Sequence, residues 1–157
     1  MLAAVGVLAL GCSTGSFAGG ATTTVELAAV ELAPEDPMPG GQFARIRNSG
    51  DEVAAIGCWR LRSRATGLTM YVKLGVRLPA GRVAHLAGAR AWLKSADRVT
   101  LLDATGRVVD RTPRLSDTAF DDRLWFRSPS GEWRFGRTTS NRKAIAVQLV
   151  GARPQGC

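Results

Sequence analysis

Apolar and polar residues alternate in seven short runs of the first two thirds of the chain. A repeat of two residues places successive side chains on opposite faces of a β-strand. Pro-Gly, Ser-Gly, Ala-Gly and Thr-Gly pairs punctuate the sequence between the runs, and no run has the spacing of a helix longer than a turn or two. Short strands separated by such turns predict an all-β sandwich or barrel. The runs are residues 25–32, 43–48, 58–63, 68–74, 82–88, 98–104 and 107–111.

Two of these runs carry arginine on one face only. Ala44 and Ile46 share the apolar face of the first run, and Trp59 and Leu61 share that of the second. The arginines fall on the opposite, outer face of each strand. If the two strands are neighbours, the sequence predicts one exposed anion-binding face made of Arg45, Arg47, Arg60, Arg62 and Arg64.

The segment between these two strands has the composition of a turn. Asn48 is expected to bond to backbone beyond itself, and Gly50 is expected to take a positive φ. Val53 and Ile56 are expected to re-enter the apolar layer.

This region resembles the lamin-tail domain family, in which an aliphatic strand, Asn-x-Gly-Asp-Glu and an aliphatic-Ser-Gly-Trp-x-Leu strand follow one another. Arg45 stands where Glu is frequent in the family, and Gly57-Cys58 replaces Ser-Gly, so a role of that acid does not transfer. Residues 76–81 resemble the family's Leu-x-Pro-Gly turn, and residues 95–110 resemble its closing hairpin. The matching positions of the first motif are Ala44, Ile46, Asn48, Gly50, Asp51, Glu52, Ile56, Trp59 and Leu61.

The resemblance implies an immunoglobulin-like β-sandwich over residues 25–119 and a role in adhesion or targeting rather than catalysis. Residues 120–157 are then expected to form a basic C-terminal extension packed on the sandwich. Within it, residues 120–137 pair aromatic side chains with arginine around a Pro-Ser-Gly turn, which predicts one more hairpin. Its arginines form a candidate secondary basic and aromatic patch, although Trp133 and Phe135 also fit the core face of an ordinary strand. The patch consists of Arg123, Arg127, Arg134 and Arg137.

The first residues have the pattern of an export signal. An uncharged apolar run ends at Leu10 and is too short to cross a bilayer as a helix. Residues 8–12 resemble the bacterial lipobox, which implies that residues 1–11 are removed and that Cys12 is lipidated on the outer face of the membrane. Residues 12–24 then form a flexible tether. The alternative is a secretory signal cleaved near Ala18 or Ala21 and a secreted protein.

Two further cysteines remain for the folded body. Export would place Cys58 and Cys157 where disulfides persist, and a bridge would close a loop of about 100 residues. The alternative is two separate thiols, with Cys58 buried as a small apolar side chain.

Charge does not by itself select a partner. The formal net charge of +8 attracts nucleic acid, anionic lipid or acidic cell-wall polymer. Alternatively, a GC-rich genome produces the arginine bias and the charge serves solubility.

Motifs of the common catalytic sites are missing from the sequence. It has no Gly-Lys-Ser/Thr phosphate loop, no Gly-x-Ser-x-Gly elbow and no metal-ligand spacing. Asp121 and Asp122, with Asp117 nearby, predict a solvated turn, because adjacent residues in extended chain point to opposite faces. His85 alternates with Val83 and is expected to be a strand residue. We therefore expect no enzyme activity, no cofactor and no metal.

Three functions remain. The first is a lipid-anchored, lamin-tail-like module that binds an anionic cell-envelope polymer, nucleic acid or membrane surface. The second is a purely structural envelope protein without a ligand. The third is an accessory targeting domain for a surface nuclease or phosphoesterase.

Overall fold

The computed structural model describes residues 24–36, 40–138 and 144–157, and the chain is all-β in these ranges, without a helix. Cys12 and the predicted signal and tether up to residue 23 lie outside the described residues. The strands are β1 (Val25–Glu31), β2 (Phe43–Asn48), β3 (Ala54–Ala55), β4 (Arg60–Ser63), β5 (Thr69–Val72), β6 (Arg77–Leu78), β7 (Val83–Gly88), β8 (Ala96–Asp97), β9 (Val99–Leu102), β10 (Val108–Arg111), β11 (Leu115–Ser116), β12 (Leu124–Arg127), β13 (Trp133–Gly136) and β14 (Ile145–Val150).

Ten strands form one curled sheet in the order β10-β9-β4-β5-β14-β7-β2-β1-β12-β13. Neighbouring strands are antiparallel except for β14, which runs parallel to β7. The curl brings β10 back beside β1, where the Leu27 backbone N–H donates to Asp110 Oδ2 at 2.8 Å. The opposed inner faces give a sandwich-like body, as the alternating pattern predicted.

The core lies between these inner faces. All seven predicted runs contain strands, and most of their inward positions are apolar and buried, although β10 contributes only the partly buried Val109. Burying each large aliphatic side chain contributes about 1.5–3 kcal/mol. Ile56 joins the core as expected, but Val53 does not, because it lies in the turn and is 50% exposed. The largest fully buried side chains include Leu27, Ile46, Leu61, Leu86, Trp92 and Leu101.

The turn after β2 depends on Asn48, as predicted. Its buried amide Nδ2 donates to the carbonyls of Glu52 and Leu78 at 2.7 and 3.0 Å, and its Oδ1 accepts from the Gly50 N–H at 3.1 Å. The expected positive φ at Gly50 is wrong. A Cβ at this position would meet the Thr24 side chain, so a larger residue would displace the Thr24 hydroxyl that donates to Asn48 Oδ1 at 3.2 Å.

The C-terminal region is part of the sheet rather than an extension packed on it. Residues 120–137 form the predicted hairpin, β12 paired with β13, and this hairpin adds to β1 at the sheet edge. Strand β14 lies between β5 and β7, with Val147 and Leu149 directed into the core. A boundary at residue 119 therefore does not divide the structure.

A disulfide joins the end of the chain to the start of β4. The Sγ atoms of Cys58 and Cys157 are 2.09 Å apart, across a sequence separation of 99 residues. The bridge fixes the segment that follows β14 against the turn before β4.

Candidate anion-binding surface

The five arginines predicted to share one face are divided between two parts of the sheet. Strands β2 and β4 are not neighbours, because β5, β14 and β7 lie between them. Alternation along each strand was predicted correctly, but alternation does not determine which strands pair. The prediction of a single face containing Arg45, Arg47, Arg60, Arg62 and Arg64 is therefore wrong.

Arg45 is not available on the surface, since it is only 8% exposed. Its guanidinium lies 4.5 Å from the Phe43 ring centroid, and its Nε donates to Nδ1 of His85 at 3.3 Å. Burial lowers the pKa of Arg45, although the charge of Glu31 opposes this shift. Burial and the charge of Arg45 also lower the pKa of His85. This group belongs to the packing of β2 against β7.

Arg47 and Arg60 are engaged by the fold. The Arg47 guanidinium pairs with Glu26 at 2.5 Å across β1 and β2. Arg60 donates to the carbonyl of Ala104 at 3.0 Å, and its guanidinium lies 5.9 Å from the Tyr71 ring centroid. Neither side chain is directed freely toward a ligand.

Arg62 and Arg64 do lie on an exposed face, but with different arginine neighbours. Arg62 and Arg111 both pair with Thr100, from either side of β9, and the Arg64 N–H donates to the Arg98 carbonyl at 3.1 Å. Arg114 lies beside them just before β11. We call these five residues the arginine patch: Arg62, Arg64, Arg98, Arg111 and Arg114.

Two adjoining open cavities lie on the arginine patch, with volumes of about 580 and 360 Å³. Arg64 and Arg98 line both of them. Arg114 completes the larger cavity, and Arg62 and Arg111 complete the smaller one. No aromatic side chain of the described residues lines either cavity. The surface therefore presents guanidinium groups without rings on which a base could stack.

Among the described residues, the two cavity linings carry five guanidinium groups and one carboxyl group, that of Asp97. Among the ion pairs of the described ranges, none involves any of these five arginines. Nε of Arg98 is buried and has no hydrogen-bond partner in the part of the chain that the structure describes. Guanidinium groups donate in a planar fork that matches carboxylate, sulfate and phosphate oxygens.

Beneath the patch, Asp97 joins the two loops that carry Arg64 and Arg98. Its Oδ2 accepts from the Ser63 hydroxyl at 2.5 Å and the Lys94 N–H at 3.2 Å. Its Oδ1 accepts from the backbone N–H groups of Ala65 at 3.0 Å and Arg98 at 2.7 Å. Asp97 is 3% exposed and also lines the larger cavity, so this carboxyl group organises the loops of the patch and forms part of the cavity wall.

The secondary patch expected in the β12–β13 hairpin is internally neutralised. Arg123 pairs with Asp121 at 2.7 Å, Arg134 with Glu132 at 3.2 Å, and Arg137 with Asp122 at 2.7 Å. An incoming anion would have to displace each carboxylate.

Arg127, the fourth member of that patch, has a structural role. It bridges Glu26 of β1 and Asp110 of β10, each at 2.9 Å. Its guanidinium also lies 5.3 Å from the Trp133 ring centroid. It therefore links the β12–β13 hairpin to β1 and to β10, at the point where the curl of the sheet brings these two strands together.

Two buried carboxyl groups were not predicted. Asp117 was expected in a solvated turn, but it is buried, as is Glu31 at the end of β1. Burial raises the pKa of Glu31 to about 7, and the charges of Asp117 and Asp121 act in the same direction. The Ala33 N–H and the charge of Arg45 oppose the shift without cancelling it.

The described residues contain no cluster of three or more His, Cys, Asp or Glu side chains arranged to hold a metal ion. The same residues include no helix of the length and apolarity needed to span a bilayer. Comparison of the chain with protein-family models gives no match, and its comparison with curated proteins gives no relative.

Proposed function

We propose that this chain is a non-catalytic, lamin-tail-like module that binds an anionic polymer through the arginine patch. The observation that carries the proposal is the convergence of five arginines, free of ion pairs within the described ranges, around two open cavities. Solubility alone requires dispersed charge rather than this concentration on neighbouring strands.

The spacing of the arginines favours a ligand with repeated charges. Residues two apart on a strand are about 6.7 Å apart, and neighbouring strands are about 4.8 Å apart. Arg62 and Arg64 therefore contact successive positions along a strand, while Arg98 and Arg111 extend the contact sideways. A polymer of phosphate or carboxylate groups satisfies several of these donors at once.

The cavity linings distinguish between polymers. Proteins that bind single-stranded nucleic acid combine basic side chains with rings on which bases stack. Since neither lining contains a ring, recognition of charge alone is favoured, as with an acidic cell-wall polymer. Our proposal places the module outside the cell, tethered by lipid at Cys12, and the Cys58–Cys157 disulfide supports an oxidising compartment.

Equilibrium binding of a poly(glycerol phosphate) wall polymer tests this proposal. Replacing Arg62, Arg64 and Arg98 with Gln should weaken binding about 100-fold at low salt, if each charge contributes about 1 kcal/mol. A matched control replaces Arg77, Arg107 and Arg134 with Gln, which removes the same charge elsewhere. Equal losses in the two triple variants would reduce the effect to net charge and refute a defined site. Absence of binding to wall polymer, DNA and anionic vesicles alike would favour a structural protein without a ligand.

A further inference from the structure

The two ends of the sheet differ in how open they are to another strand. At one end, β10 contains a bulge between Val108 and Asp110 and lies against β1. At the other end, β13 pairs with β12 in a regular register, and the described residues place no strand on its outer side. The sequence of β13 also contains no proline and no lysine, two residues that commonly protect sheet edges. A further strand can therefore be added at β13.

The backbone groups on the outer side of β13 are those of Trp133 and Phe135. The Ser128 N–H donates to the Glu132 carbonyl at 2.7 Å, so these two residues form a hydrogen-bonded pair of the hairpin. Hydrogen-bonded and non-hydrogen-bonded pairs alternate along an antiparallel ladder. Arg134, two residues along, therefore bonds to β12 through its backbone. Trp133 and Phe135 consequently direct their N–H and C=O groups away from β12.

The charges of this edge favour a second copy of the same chain as the added strand. Two identical antiparallel strands are related by a twofold axis, so β13 must complement itself read backwards. With Trp133 opposite Trp133, each Glu132 faces Arg134 of the second copy. A register centred on Glu132 or on Arg134 would oppose like charges, which destabilises a strand pair. A register centred on Phe135 would leave Arg134 opposite Gly136.

We propose that β13 is a self-association edge, which pairs antiparallel with β13 of a second copy and places Trp133 opposite Trp133. The backbone groups of the two Trp133 residues then bond to each other, because both point outward from their hairpins. Glu132 and Arg134 lie at non-hydrogen-bonded positions, where opposed side chains are closest. These side chains are 69% and 62% exposed, so both are accessible to the second copy. This inference does not depend on the proposed function.

The aromatic side chains of the edge are already held in place. The Trp133 ring is partly buried against the core and lies 5.3 Å from the Arg127 guanidinium, and the Phe135 ring centroid lies 5.4 Å from that of Trp125. Pairing places the two Trp133 rings side by side, and such cross-strand aromatic pairs stabilise a ladder. An edge of four residues gives a small interface, so the dimer is weak. The chain is then monomeric in dilute solution, where Arg134 remains a suitable control for stability and binding.

Sedimentation equilibrium of the whole protein, from micromolar to millimolar concentration, tests the self-association. The wild type should form dimers as its concentration rises. Glu132→Arg and Arg134→Glu should each weaken association about tenfold, because like charges then oppose each other twice. The double variant should associate like the wild type, and an equimolar mixture of the two single variants should form a mixed dimer. Arg137→Glu, at the exposed ion pair with Asp122, is the matched control and should leave association unchanged.

Hydrogen exchange tests the register. The outward amide of Trp133 should exchange rapidly in dilute protein and become several-fold better protected at high concentration. The amide of Arg134, which bonds to β12, should be protected at both concentrations and shows whether a variant keeps the hairpin.

The proposal is overturned by a wild type that stays monomeric at every concentration, or by single variants that associate as strongly as it does. It is also overturned if the double variant associates as weakly as the single variants, or if dimers form while the Trp133 amide stays unprotected.

Discussion

The buried Asp97 carboxylate accepts a hydrogen bond from the Ser63 hydroxyl at 2.5 Å, between the end of β4 and β8. Ser63 also accepts from the Thr66 N–H at 3.0 Å, so this pair fixes the turn after β4 as well as the approach to β9. The two loops that present Arg64 and Arg98 are thus held by one anion beneath them.

Asp97→Asn should therefore cost more than an ordinary surface substitution. An amide cannot accept the four hydrogen bonds that the carboxylate accepts, and hydrogen bonds to charged groups each contribute about 1.5–3 kcal/mol. We expect a loss of about 3 kcal/mol in the free energy of unfolding, measured by urea denaturation. Asp103→Asn is the control, because that carboxylate caps a largely exposed turn. Losses of equal size in the two variants would contradict the organising role of Asp97.

Removing the disulfide should destabilise the protein because the unfolded chain gains conformational entropy. Chain-entropy arguments assign about 4.7 kcal/mol to a bridge that closes about 100 residues. Replacing both Cys58 and Cys157 with Ala should lower the free energy of unfolding by about 2–5 kcal/mol in chemical denaturation. Polymer binding measured well below the melting temperature should change little, because the bridge does not line either cavity. A double variant as stable as the wild type would show that the bridge is not needed.

Arg127→Gln should loosen the closure of the sheet. The guanidinium pairs with Glu26 and Asp110 at once, and removing it from this partly buried network leaves Asp110 without its cation and Glu26 with Arg47 alone. We expect a loss of about 2–3 kcal/mol in stability, with faster amide exchange in β12 and β13. Arg134→Gln, at an exposed pair in the same hairpin, should cost less than about 0.5 kcal/mol. Comparable losses would mean that the hairpin does not depend on the bridge to β10.

Stability should decline with pH because of Glu31. Its pKa is raised on folding to about 7 from an ordinary value of 4.5, so the folded state binds the extra proton between these values. Unfolding free energy attributable to this group is therefore greatest below pH 4.5 and falls by up to about 3 kcal/mol as the pH rises to 7. The lowered pKa of His85 acts in the opposite direction over part of this window. The difference between wild type and Glu31→Gln isolates the effect, and parallel stability curves from pH 5 to pH 8 would contradict it.

Strand positions were predictable from the sequence because alternation is a local property. All seven runs are strands, and Trp59 and Leu61 are buried opposite exposed Arg62 and Arg64, as expected. The neighbours of these arginines were not predictable in the same way. Pairing depends on hydrogen bonds between distant segments, and β14 enters the sheet from the far end of the chain.

Two of the three missed patch residues, Arg98 and Arg111, did leave a signal. Arg98 and Thr100 alternate with apolar Val99 and Leu101, and Arg111 ends the partner strand of the same hairpin. The same alternation, applied to that hairpin, would have predicted that both arginines lie on its outer face. Asp117 carries no such signal, because its burial depends on tertiary packing rather than on a local alternation of residues.

The most direct test of the central claim is an amide chemical-shift titration of the labelled protein with poly(glycerol phosphate). We predict perturbations confined to residues 62–65, 96–100 and 111–116, which saturate at low salt and disappear as salt is raised. Perturbations centred on the β12–β13 hairpin, or none at any polymer concentration, would contradict an anion-binding role for the arginine patch.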